Sequence, residues 1–295
     1  MSEPREEIER YLRSGTHDPY FAAWSGDVIA REGQGRAALN RALIEAVEKR
    51  ADGRAAPAMV PDMDLDAFTR RKIEPMVRGL FPGEEQELVL EVLERSVVYL
   101  TPENFRQVLE AAVWPYSAWA LANLYLRSLD AERLSDEAPQ LVGMSEETTC
   151  YLSLDYFREN DPFADYLVHE AAHVFHNCKR GKIGLRQTKR REWLLDIEYS
   201  KRETFAYCCE AYSRILERST RTAERCRLVD ELAGGATPSD ERVDPAEYLD
   251  ILREAVNARN GWKRILARCA PAPRKRRLDG ANEPPRPSFA RTRPP

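Results

Sequence analysis

Hydrophobic positions recur at helical spacing over most of the chain. In MDLDAFTRRKIEPMVRGL, residues 63–80, apolar residues return every three or four positions, which predicts a helix ending near Gly79. GEEQELVLEVLERSVVYL, residues 83–100, repeats the pattern and predicts the next helix. Residues 1–60 predict helices broken at Gly26, at Gly33 and Gly35, and in the stretch ADGRAAPA. The most apolar run, Ala111 to Leu126, contains Pro115 and Asn123 and is shorter than the roughly 20 residues of a membrane span, so it predicts a buried helix. One segment departs from the helical period. Residues 148–157, TTCYLSLDYF, are β-branched, aromatic and partly alternating, and predict a strand. After the loop RENDPFAD, a helix is expected from near Pro162 to near Gly181 or Gly184.

The expected fold class is therefore mainly α (α+β), a helical protein with a small β-sheet. Three regions are expected: an N-terminal helical segment over 1–60, a mainly helical domain over 61–268, and a tail over 269–295. Residues 271–295 hold seven prolines and seven basic against two acidic residues, a composition that predicts disorder. No internal repeat is visible.

Composition narrows the class without naming it. The chain has 295 residues, 43% hydrophobic and 32% charged, enough to bury a core without disulfide staples. A net charge of −4 does not mark the whole molecule as a nucleic-acid or membrane binder. The start, MSEPREEIERYLRSG, lacks the apolar stretch of a leader, so a cytoplasmic location is expected. Cys150, Cys178, Cys208, Cys209, Cys226 and Cys269 form no CxxC pair and are expected to be thiols. Two basic segments, 179–191 and the tail 271–295, offer contact to an acidic or nucleic-acid-associated partner, or are simply solvated.

The candidate chemistry lies in His169-Glu170-Ala171-Ala172-His173. Residues four apart share a helix face, so His169 and His173 present two imidazoles to one point, as a zinc ion requires. Glu170, about 100° further round, stands beside that point and is the candidate general base. Three of the four histidines, at 169, 173 and 176, fall in this segment. A catalytic zinc needs a third protein ligand. His176 lies about 10.5 Å along the axis from His169 with no intervening glycine turn, so an unbroken helix does not bring all three rings to one ion. Glu203 is a second candidate, in Ser200-Lys201-Arg202-Glu203. The same four residues also read as a capping box, in which Glu203 would bond its own helix's first amide. Glu210, two turns later on the same face, is a third candidate.

HEAAH followed by Glu203-Thr204-Phe205-Ala206 resembles the HExxH…ExxA arrangement of gluzincin metallopeptidases, especially the minimal forms called minigluzincins. The resemblance covers residues 148–217, about a quarter of the chain. It implies a zincin-type two-helix site: His169, His173 and Glu203 on Zn2+, Glu170 as base, and a small Ala206 that lets the helices approach. It also implies that the segment Cys150 to Phe157 is an edge strand, along which a peptide lies. Many gluzincins carry an aspartate four residues after the ligand glutamate to orient a zinc histidine. That position here is Tyr207, which leaves the orienting role to Asp196, Asp155 or a backbone carbonyl. Tyr207 is the leading candidate for the oxyanion donor, beside Tyr199, Arg202, Tyr212 and His176; its alternative is core packing. The expected function is a zinc-dependent metallopeptidase acting on a peptide or protein. The alternatives are a zinc hydrolase with another substrate and a non-enzymatic helical protein with a structural zinc.

Overall fold

Helical periodicity sets most of the architecture. The structure is a computed structural model that describes residues 3–54, 63–139, 141–188, 191–235 and 237–272. The predicted tail from residue 273 onward and part of ADGRAAPA lie outside the described residues. The N-terminal helices are α1 (Pro4–Ser14), α2 (Val28–Ala51), α3 (Leu65–Leu80) and α4 (Gly83–Ser96), followed by β1 (Val97–Tyr99). Next come α5 (Phe105–Ala111), α6 (Pro115–Ser128), β2 (Gly143–Glu146), β3 (Thr149–Leu152) and α7 (Tyr166–Asn177). The chain continues through α8 (Arg202–Arg218), α9 (Thr222–Ala233), α10 (Pro245–Asn257) and α11 (Gly261–Cys269). The protein is mainly helical with one small sheet, as the periodicity predicts.

The departures have local causes. Gly33 and Gly35 do not break α2. Gly35 is where Phe21 packs, and a Cβ there would stand 2.2 Å from the Phe21 ring. The run 83–100 is not one helix: its last residues leave α4 and pair with β3 as β1. The predicted strand is shorter than expected. Ser153 accepts a hydrogen bond from the Asp155 amide at 3.1 Å and turns the chain into a short 3-10 helix, Leu154–Arg158.

The sheet has the order β1-β3-β2. β3 is central, parallel to β1 and antiparallel to β2. This corrects the expectation that Cys150 to Phe157 is an edge strand. The edge beside α7 is β2, from the preceding segment, which the sequence does not mark.

Alternation along β3 divides the interior in two. Cys150 and Leu152 face a large core built from α3, α4 and α7 to α11. Tyr151 faces a second core, built from α1, α2, α5 and α6. The predicted boundary at residues 60/61 does not coincide with this division, because α5 and α6 share their core with α1 and α2. The apolar run of α6 is buried from Ala118 to Leu126. No described helix is long and apolar enough to cross a membrane.

The basic segment 179–191 is partly folded into the protein. Arg180 is fully buried, paired with Glu85, and donates to the carbonyls of Arg186 and Leu194. Arg191 lies 3.6 Å from the same glutamate, and Lys179 pairs with Glu192 at 2.7 Å. Positions 189 and 190 lie outside the described residues.

Candidate metal centre

α7 begins at Tyr166, not Pro162, because Asp165 caps it by accepting from the Val168 amide at 3.3 Å. The Tyr156 hydroxyl donates to the same carboxylate at 3.1 Å, and the buried Lys72 ammonium lies 2.5 Å from its other oxygen. The helix ends at Asn177, earlier than either glycine. Cys178 is extended and leads into an antiparallel bridge between Lys179 and Trp193. Between these ends, every residue from Leu167 to His176 is buried. The polar groups of this helix therefore need partners from neighbouring elements.

α8 supplies them. Ala171 and Ala172 on α7, and Ala206 on α8, are fully buried and permit close approach of the two helices. Glu203 Oε2 stands 3.5 Å from His173 Nε2 and 3.8 Å from His169 Nε2. The three ligand atoms lie within 4.8 Å of one another, and this is the one such cluster among the described residues. Ligands at about 2.0–2.1 Å from a tetrahedral zinc are about 3.3–3.4 Å apart, close to the 3.5 and 3.8 Å that separate Glu203 Oε2 from the two Nε2 atoms. The capping alternative is not what the structure has. α8 starts after a 3-10 turn, Tyr199–Lys201, with no side-chain cap, and the Glu203 carboxylate turns to the histidines.

Glu210 takes a different place from the ligands. Its Oε2 is 3.0 Å from His169 Nδ1, and its Oε1 accepts from the Asp165 amide at 2.8 Å. A carboxylate on Nδ1 fixes the tautomer that leaves the Nε2 lone pair free for a metal. The expected orienting groups are elsewhere: Asp155 is paired with Arg127 and Arg158, and Asp196 faces the Arg180–Arg191 side. The only sequence signal for Glu210 is its position two turns beyond Glu203 on the same face.

The carboxylates and imidazoles of the cluster shift one another's ionisation. Burial works against charge on His169, but the nearby Glu203 carboxylate and the hydrogen-bonded Glu210 carboxylate outweigh that and raise its pKa to about 10. Burial also raises Glu203, yet the two histidines hold its carboxyl well below the usual carboxylate range. Two carboxylates thus converge on one imidazole and favour positive charge there, whether on the ring itself or on a bound cation.

Glu170 is not one of the three clustered ligands, and its side chain packs against β2. Its side chain packs on Gly143, where a Cβ would stand 2.8 Å from Glu170 Cγ, and it accepts a hydrogen bond from Ser145. Burial pushes its carboxyl up, against the pull of His169 and His173. His176 is buried and edge-on to His173 at 5.2 Å, with no partner on Nδ1. Burial first, then His173 and Arg202, lower its pKa to about 3, and it stands outside the ligand cluster.

Tyr207 packs edge-on against His169 with ring centroids 4.5 Å apart, and burial raises its hydroxyl to about 12, so it remains a donor at neutral pH. Tyr212 packs instead on Trp262 at 4.9 Å, and Tyr199 is 79% exposed with the Arg202 guanidinium over its ring. One residue at the site carries no sequence signal. Arg242, from the loop between α9 and α10, places Nη1 2.9 Å from Glu203 Oε1. Compared with family models, curated proteins and solved structures, the chain matches none.

Proposed function

We propose that this protein is a zinc-dependent metallopeptidase whose metal is held by His169, His173 and Glu203. The observation that carries the reading is the convergence of Glu203 Oε2 on both Nε2 atoms, with His169 Nδ1 taken by Glu210. Three protein donors suit a catalytic zinc, which keeps an open position, better than a structural one, which is closed by four. When bound there, zinc supplies Lewis acidity that brings the pKa of a coordinated water toward about 7.

The chain's own residues supply the rest. Glu170 is buried, and burial raises its pKa above the ordinary carboxylate value, which suits a group that accepts a proton from the attacking water. As the C–N bond breaks, the same carboxyl hands that proton to the leaving amine. The Tyr207 hydroxyl is the donor for charge developing on the carbonyl oxygen. Among the described residues the outer edge of β2 is unpaired in the sheet, and it lies beside Glu170, which favours an extended polypeptide as substrate. Six free cysteines, all but Cys226 buried, fit a reducing compartment, and we propose a cytoplasmic location.

The test is metal content joined to hydrolysis. Protein purified without chelators carries about one zinc per chain. Stripping the metal stops cleavage of an unfolded polypeptide, and zinc restores it. Elemental analysis also separates zinc from iron(II), which accepts the same two-histidine, one-carboxylate donor set. Undiminished cleavage by the stripped protein overturns the proposal.

Gly143 tests the placement of the base separately. In Gly143→Ala the new Cβ meets Glu170 Cγ at 2.8 Å and Leu152 Cδ2 at 3.0 Å, so the carboxyl must move. The expected result is a kcat lowered about 10–100-fold with full zinc content, since about 1 Å of misplacement is enough for such a loss. A wild-type kcat would remove β2 from the account of the site.

A further inference from the structure

We propose that Arg242 is a positioning residue: it keeps Glu203 a one-oxygen metal ligand, and thereby sets the coordination number and zinc preference of the centre. The proposal rests on the metal-site reading above and goes beyond it, to how that site selects its ion.

The geometry divides the two oxygens of Glu203. Oε2 faces the histidine Nε2 atoms at 3.5 and 3.8 Å, and Oε1 takes the Arg242 Nη1 at 2.9 Å. A carboxylate with both oxygens free can chelate, filling two positions around an ion. One whose second oxygen is committed to a guanidinium binds through the other alone. Arginine suits this task because its charge is permanent and its donors lie in a rigid plane.

Arg242 reaches Glu203 from a fixed platform, although its side chain is 67% exposed. Asp240 Oδ1 accepts from the Arg242 backbone amide at 2.8 Å and from Nε at 2.9 Å, and Oδ2 accepts from Nη2 at 2.6 Å. The guanidinium is thus clamped in a fork-to-fork pair that leaves Nη1 aimed at Glu203. The loop itself is anchored on the C-terminal side of Arg242. The Val243 side chain is buried in the large core, and its amide donates to the Asp240 carbonyl at 2.9 Å. Asp244 caps α10 by accepting from the Ala246 and Glu247 amides. Glu247, in the first turn of α10, pairs with Lys201 immediately before α8. The loop and the start of the ligand helix are therefore tied together, and Arg242 keeps its station relative to Glu203.

The consequence concerns which ion fits. Two imidazoles and one single-oxygen carboxylate make a three-donor set with room for water or substrate, the pattern of four-coordinate zinc. A chelating Glu203 would raise the oxygen count and the coordination number, which harder ions such as Mn2+ prefer. Arg242 holds the site to the first pattern. An ion pair this exposed contributes little to folding, so its loss should be read at the metal rather than in stability.

The experiment titrates metal-free full-length protein with Zn2+ and with Mn2+ against a competing chromophoric chelator, and records the visible spectrum of the Co2+-loaded form. In Arg242→Ala, zinc affinity falls about 10–100-fold, the range for loss of an outer contact to a ligand. The preference for zinc over manganese narrows, and the Co2+ bands weaken toward those of a five- or six-coordinate ion. Arg242→Lys, which restores one donor to Oε1, recovers part of the cobalt intensity, and Asp240→Asn falls between wild type and Arg242→Ala. Thermal unfolding of the metal-free variants stays close to wild type. An Arg242→Ala protein with the wild-type zinc-to-manganese ratio and cobalt spectrum overturns the proposal, even if all affinities fall together. A wild type that binds none of these ions overturns the metal-site reading itself, a result plainly different from a variant that binds them unchanged.

Discussion

Glu170→Gln is expected to keep one zinc per chain and lose peptide hydrolysis by about 10²–10⁴-fold, the usual contribution of a positioned proton-transfer group. The two halves of that expectation come from different contacts. Zinc stays because Glu170 is not among the three clustered ligands, and its side chain packs on Gly143 of β2. Hydrolysis goes because glutamine has the same shape, and its carbonyl can still accept from Ser145, yet it cannot take up a proton. Folding should not suffer. Burial raises the Glu170 pKa above its unfolded value, so the ionised carboxylate weighs against the folded state at neutral pH, and the amide removes that cost. The check is metal analysis, steady-state hydrolysis and thermal unfolding on one preparation. A variant that loses its zinc would put Glu170 among the ligands. One that cleaves at the wild-type rate would assign the base elsewhere.

The parts of this site that the sequence discloses are those that one helix can hold. His169, Glu170 and His173 are related by helical geometry alone, and α7 presents them as the spacing predicts. His176 is likewise where a straight helix puts it, next to His173 but outside the cluster. What is not legible depends on how elements meet. Glu203 and Glu210 are both candidates on one face of α8. Two turns apart, they reach opposite sides of the same ring, Nε2 and Nδ1, and only the packing of α7 on α8 decides which carboxylate has which. Arg242 comes from a loop whose direction is set by Val243 and Asp244, neither of which resembles a catalytic motif. The same limit holds for the fold. Amphipathic runs mark the helices, but the run 83–100 gives no sign that Val97 to Tyr99 will find β3 and leave α4. Nor does any local pattern reveal that β3 carries a different core on each face, since that follows from which helices surround it.

The division of labour between Glu203 and Glu210 gives the sharpest contrast to measure. Glu203→Ala removes the only carboxylate oxygen in the ligand cluster and leaves two imidazoles, so zinc binding should be lost well beyond the about 10–100-fold that an outer contact is worth. Glu210→Gln should fall within that smaller range. Its single oxygen can still accept from the Asp165 amide, but the NH2 group then faces His169 Nδ1, where it can neither accept the ring proton nor place a negative charge. Glu210→Ala adds a second cost. It strips the buried Asp165 amide of its acceptor at the start of α7, and an unmet buried donor costs about 1–3 kcal/mol, visible as a lower denaturation midpoint even in metal-free protein. The order of zinc affinities should therefore run wild type, Glu210→Gln, Glu210→Ala, Glu203→Ala, while the stability of the metal-free proteins drops chiefly at Glu210→Ala. Were Glu210 the ligand and Glu203 the orienting group, the affinity order would reverse and Glu203→Ala would keep its zinc. Glu210 Oε2 lies on the Nδ1 side of His169, and both Nε2 atoms face Glu203, so only the first order agrees with how α8 sits on α7.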